Sequence, residues 1–144
     1  MYLDSAVIVK LSVPESDSGY YTALVDGLAD LVASALSFPE CRSALVRKLV
    51  SGEITPDGYS RACEVVEKML SGNSGINVVD IDNDILRLAS TAIERCRGKA
   101  VLRTLDAIHI ATCMKTGSYP LVTNDKIMRK AADALEIPLT PLPQ

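Results

Sequence analysis

Residues 119–128 read YPLVTNDKIM. A short apolar run, Leu121 and Val122, meets Thr-Asn-Asp, and helix-forming residues follow. Read as a strand passing into a helix, the stretch puts Asp125 at a strand's carboxyl end. There its side chain can accept from the free amides of the helix it precedes. The N-terminus repeats the arrangement. Residues 1–5, MYLDS, are a brief apolar start with Asp4 where a strand would end.

Working outward, the same alternation runs along the chain. Residues 1–4 read as a strand and 5–11 as one or two helical turns stopped near Pro14. Residues 15–27 read as a helix, with Tyr20, Leu24 and, just beyond, Leu28 at helical spacing, and 30–34, DLVAS, read as a buried strand. A helix is predicted over 39–50, with Cys41, Leu45 and Leu49 on one stripe, ended by Gly52. Thr55 and Pro56 suit the cap and first position of a helix running to Leu70. A loop at 71–75 and a third strand at 76–81 follow. Helices are expected over 82–96 and 104–116, the second closed by Gly117. A fourth strand at 120–123, a helix at 125–135 and a last edge strand at 137–142, tolerant of its prolines, complete the pattern. Strands alternating with helices predict an α/β sandwich on a mostly parallel sheet, in one domain over residues 1–144. Such folds bind ligands outside the carboxyl ends of the strands, where Asp4 and Asp125 fall.

Bulk properties narrow the function. The 144 residues are 48% hydrophobic and 23% charged, which fits a globular chain with a sizeable core. Aromatics make up only 4%, so the core is aliphatic and a base-stacking platform is disfavoured. The net charge of −3 argues against global attraction to nucleic acid and leaves room for a local basic patch. No apolar run approaches the roughly 18 residues of a membrane helix, and no signal peptide is evident. Cys41, Cys63, Cys96 and Cys113 are widely spaced and His109 is the only histidine, a poor basis for a zinc site. The cysteines read as small buried apolar groups in a reduced, cytoplasmic protein. One histidine and no G-x-S-x-G motif offer little to a serine or cysteine hydrolase.

Two further acids join the pair. Glu40, in SFPECRSALVRKL, lies in the first turn of the helix after strand two. Asp106, in LRTLDAIHIATC, opens another helix. Each could serve only its helix N-terminus, a contribution of about 0.3–1 kcal/mol. Ser37 and Glu40 have capping-box spacing, but Pro39 biases Phe38 away from helical geometry and makes Phe38 the expected cap. Taken together, carboxylates converging on one sheet edge would repel, and a hard divalent cation would relieve them. Such a cation could also drive phosphodiester hydrolysis. Spacing alone leaves the two readings open.

Four blocks resemble the PIN-domain family, and within it the small VapC-like toxins. MYLDSAVIVKLSVPE is similar to its opening strand with Asp, hydroxyl and short helix. SFPECRSAL resembles its second block, LRTLDAIHIATC its third, and LVTNDKIMRKAADALEIP its fourth, in the same order. The resemblance implies a three-layer sandwich with a parallel sheet flanked by helices, and an endoribonuclease dependent on Mg²⁺ or Mn²⁺. It implies that Asp4, Glu40, Asp106 and Asp125 are catalytic and bind the metal, with Ser5 and Thr123 supplying nearby hydroxyls. It also implies a homodimer silenced by a cognate antitoxin. Many relatives carry a further acid after the last Asp, where this chain has Lys126, Ile127 and Met128. That departure puts a second metal in doubt. Asn124 could add a neutral oxygen, although a turn role suits it better.

His109 follows Asp106 by one helical turn and could share its face. A packing or orienting role is preferred over that of general base, because an activated metal-site water needs no histidine. Arg97, Lys99 and Arg103 belong to a basic run before Asp106, readable as a solvated helix end or as a phosphate-steering patch. Lys10 and Arg42 are isolated candidates for RNA contact. Two alternatives remain. One is a non-catalytic PIN module binding RNA or a protein partner. The other is a phosphoryl-transfer enzyme with an aspartate nucleophile, for which the usual D-x-D after strand one is missing.

Overall fold

The computed structural model describes residues 1–72 and 75–144; the centre of the loop expected at 71–75 lies outside them. Among these residues four strands, β1 (Tyr2–Leu3), β2 (Leu31–Ser34), β3 (Ile76–Val79) and β4 (Leu121–Val122), form a parallel sheet in the order β3-β2-β1-β4. Tyr2 pairs with Val32 on one side and Leu121 on the other, so β1 is central. The chain builds outward from β1 to β3 and then returns to add β4 on the opposite side. β1 therefore sits at the switch point, where crossovers diverge and the strand ends leave a crevice.

Among the described residues, seven helices cover the faces: α1 (Ser5–Ser12), α2 (Ser18–Val25), α3 (Ser37–Val50), α4 (Pro56–Leu70), α5 (Asn83–Cys96), α6 (Thr104–Thr116) and α7 (Lys126–Ala134). Side-chain alternation along the strands assigns them to layers. Leu3, Ala33, Ile76 and Val122 point into one apolar cluster with Val7, Cys41, Leu45 and Val66, from α1, α3 and α4. Tyr2 and Leu121 face the other way, into a cluster with Ile85, Ala89, Ile110, Ala131 and further residues of α5, α6 and α7. This is the expected three-layer sandwich, with two aliphatic cores separated by the sheet. The cysteines behave as expected: all four are free and buried. Burial pushes the Cys41 and Cys113 thiols up to about 12, so neither is a thiolate at neutral pH.

Local signals set the helix ends. Thr55 caps α4, its hydroxyl accepting from the Gly58 amide at 3.0 Å, with Pro56 at the first position. Gly117, at φ 61°, ends α6 in a left-handed turn that a side chain would strain. Two details differ from expectation. Helix α3 begins at Ser37, so Phe38 is inside it and is no cap. Pro39 falls in the first turn, where a missing N–H costs no intrahelical bond, and the Phe38 and Glu40 amides reach the Ala35 and Leu36 carbonyls at 3.2 Å. The last edge strand shrinks to one parallel bridge, Leu121 to Leu139. Pro138 and Pro141 flank the bridge and offer no N–H to extend the ladder.

Candidate active site

The strand ends feed the acids to one place. Asp4 leaves β1 and caps α1, its Oδ1 accepting from the Val7 amide at 2.8 Å. Asp125 follows β4 and caps α7, accepting from the Ile127 and Met128 amides, each at 2.8 Å. Glu40 and Asp106 sit in the first turns of α3 and α6. All four line an open cleft of about 560 Å³, together with Ser5, Arg47, Arg103 and His109. Asp4 and Asp125 therefore both cap their helices and line the same cleft.

Each carboxylate has its own partner. Asp4 is 4% exposed. Burial pushes its carboxyl up, against the Thr123 hydroxyl, the Val7 amide and nearby His109, and Asp125 adds to the rise by repulsion. Glu40 has the opposite balance. Burial would raise it, but His109 and Ser5 outweigh burial and hold it below the usual range. Its Oε2 lies 2.6 Å from His109 Nε2 and accepts from Ser5 Oγ at 2.5 Å. Tyr2 Oη lies 2.7 Å from His109 Nδ1. An ionised carboxylate only accepts, so Nε2 carries the hydrogen and Nδ1 can take the tyrosine hydroxyl. His109 is thus a buried strut, fixed by Tyr2 and aimed at Glu40. Asp106 accepts from Arg103 Nε at 2.9 Å, and Arg103 Nη2 lies 3.6 Å from Asp125 Oδ2.

The donor set suits a hard cation: four carboxylates, three of them partly exposed, and no accessible thiol among the cleft residues. As placed, the side chains are not gathered around one point. Among the described residues, no three acid, histidine or cysteine groups close into a metal-holding cluster. Local donors account for this: Glu40 turns to His109 and Ser5, and Asp106 and Asp125 turn to Arg103.

The remaining candidates separate. Thr123 is buried behind the cleft, its Oγ1 accepting from the Asp125 amide at 3.1 Å. Asn124 is exposed and does not line the cleft. Lys10 is bound to Glu15 and Asp17 at 2.7 and 2.8 Å, which leaves little charge for a phosphate. Arg42 lies on α3 against Tyr59, away from the cleft. Arg97 pairs with Glu94, and neither it nor Lys99 lines the cleft. Sequence reasoning missed Arg47, which lines the cleft, and Ser37, whose Oγ lies 3.1 Å from Ser5 Oγ. Arg47 was visible as a residue two helical turns beyond Glu40. Nothing in the sequence distinguished Ser37 from an ordinary cap.

A parallel three-layer sandwich with a carboxylate-lined cleft at its switch point defines the class. The sequence pattern of the PIN domain matches residues 1–134, and the chain belongs to the PIN-domain family. Ribonuclease VapC46 of Mycobacterium tuberculosis is 34% identical over 137 residues, 94% of this chain and 92% of that protein. Among solved structures, FitAcB from Neisseria gonorrhoeae superposes with a TM-score of 0.72 at 18% identity, covering 97% of this chain and 96% of that one. VapC20 of Mycobacterium tuberculosis, described as a sarcin-ricin loop cleaving toxin, gives 0.69 at 16% identity over 90% and 93%. At such identities the two structures speak to the fold.

Proposed function

We infer that the chain is an endoribonuclease of the VapC type, the toxin of a toxin–antitoxin pair, dependent on a divalent cation. The observation that carries this is the convergence of Asp4, Glu40, Asp106 and Asp125 on one cleft at the carboxyl edge of the sheet. The curated relative named a ribonuclease, similar over nearly the full chain, supports it.

The four acids would hold Mg²⁺ or Mn²⁺. When bound, such an ion acidifies water and offsets charge developing on a phosphoryl group. The chain's own residues prepare the site. Ser5 and His109 fix one oxygen of Glu40 and keep it ionised. Thr123 and the Val7 amide fix Asp4. Arg47 brings positive charge to the cleft wall, where an RNA phosphate must pass. An antitoxin would silence the enzyme by covering the cleft, and a homodimer is the family expectation. The whole chain would act as a single unit. No described helix is long and apolar enough to cross a membrane, which fits a cytoplasmic site of action.

The second reading, a non-catalytic PIN module, draws on the pairing of Asp106 and Asp125 with Arg103. Incubating a mixed RNA pool with wild type and Asp4→Asn, in Mn²⁺, Mg²⁺ or EDTA, separates them. Cleavage that needs both the metal and Asp4 is expected. Folded wild-type protein that neither cuts nor binds metal would move the assignment to the second reading.

A further inference from the structure

We propose that Arg103 is a built-in competitor of the divalent cation: its guanidinium bridges Asp106 and Asp125, and a metal can take those two carboxylates only by displacing it. The inference rests on the divalent-metal reading above.

An Arg and an Asp three residues apart at a helix start are by themselves an ordinary surface pair. Here the same guanidinium also faces a second carboxylate from another element. Nε lies 2.9 Å from Asp106 Oδ2, and Nη2 lies 3.6 Å from Asp125 Oδ2. All three residues line the cleft that holds Asp4 and Glu40. Among the described residues, no other ion pair engages either acid. Two carboxylates drawn into one cleft need a positive charge between them, and Arg103 supplies it from within the chain. A guanidinium stays charged at every working pH, so protonation equilibria do not relieve the competition.

Arg103 is also free to leave. Its side chain is 67% exposed. It precedes α6 without making a side-chain cap. Swinging it outward removes no side-chain cap from α6. Asp4 and Glu40 are held by other partners, so the competition falls on half of the acid set. The consequence is a metal affinity set partly by a residue that is not a ligand.

The test is calorimetric titration of Mn²⁺ into wild type, Arg103→Gln and Arg103→Lys, without RNA. Arg103→Gln is expected to bind Mn²⁺ roughly fivefold more tightly, the scale of removing an exposed ion pair. Arg103→Lys keeps the charge and is expected to stay near wild type. In EDTA, Arg103→Gln is expected to melt below wild type, because Asp106 and Asp125 then face each other uncompensated. With saturating Mn²⁺ it is expected to gain more than wild type does. Equal Mn²⁺ affinity in wild type and Arg103→Gln would overturn the competition and leave the metal reading standing. A lysine variant that binds as tightly as the glutamine variant would overturn it too. Absence of Mn²⁺ binding in all three folded proteins would overturn both.

Discussion

Asp4 offers the sharpest test, because capping and chemistry make opposite demands on it. Asp4→Asn removes the charge and keeps the cap, since an asparagine oxygen accepts from the Val7 amide as well as a carboxylate does. Asp4→Ala removes both. It forfeits a cap contribution of about 1 kcal/mol. It also leaves the buried Thr123 hydroxyl short of its Asp4 acceptor, which costs about 1 kcal/mol more. For a chain of 144 residues, about 2 kcal/mol places the Tm of Asp4→Ala about 6–8 °C below that of Asp4→Asn. Asp4→Asn should melt at or above wild type in EDTA, because it deletes a charge that burial disfavours. The pH dependence carries a sign. The folded-state pKa of Asp4 is raised, so the cost of its charge is fully present above that raised value. The cost fades as pH falls toward the ordinary aspartate range. The stability advantage of Asp4→Asn should therefore be greatest near neutrality and shrink in acid. Thermal melts by circular dichroism at several pH values, run beside an RNA-cleavage assay, read both properties. An asparagine variant as unstable as the alanine variant would refute the capping and burial reasoning. An asparagine variant that still cleaves RNA would refute the catalytic assignment.

Other outcomes follow from the same structure. Leu45→Ala, at a fully buried position in the α3 core, should lose about 3 kcal/mol in urea unfolding; a loss under 1 kcal/mol would mean that the core there is loosely packed. Burial works against the Glu15 charge, but Lys10 and Lys48 hold its pKa below the usual range, so its stabilisation exists above the ordinary glutamate value and disappears as pH falls through the depressed one. Glu15→Gln should cost about 1 kcal/mol at pH 7 and nothing in strong acid; a pH-independent cost would show that packing, not charge, is lost. Arg47→Glu should weaken RNA binding and reduce the salt slope by about 0.7 for a single strand, while reversal of Arg97 and Lys99 leaves the slope unchanged. The opposite ordering would put RNA on the surface at the end of α5.

Periodicity and turn chemistry carried the architecture. The apolar stripes of α3 and α5 and the brief strands at Leu31 and Leu121 are local patterns, and local patterns survive into the fold. Asp4, Thr55 and Asp125 were legible as caps because a cap is read from residues close in sequence. The hydrogen bonds that finish the site were not legible. Tyr2 meets His109 across 107 positions, and His109 meets Glu40 across 69. No spacing rule reaches so far. Arg103 was read as a candidate phosphate ligand from its basic neighbours, and its side chain turned instead to two acids that only tertiary structure supplies. The misplaced start of α3 came from weighting the residue before a proline more heavily than the free first turn of a helix allows.

The strand order has a consequence for synthesis. β1 gains its β2 neighbour early, but its other edge waits for Leu121 and Val122. Asp125 and the helix it caps come later still. A nascent chain emerging from the ribosome can assemble the α1–α4 layer, yet it lacks one wall of the cleft until β4 and α7 have been made. For an endoribonuclease, that ordering delays the birth of activity until β4 and α7 have followed the rest of the sheet out of the ribosome.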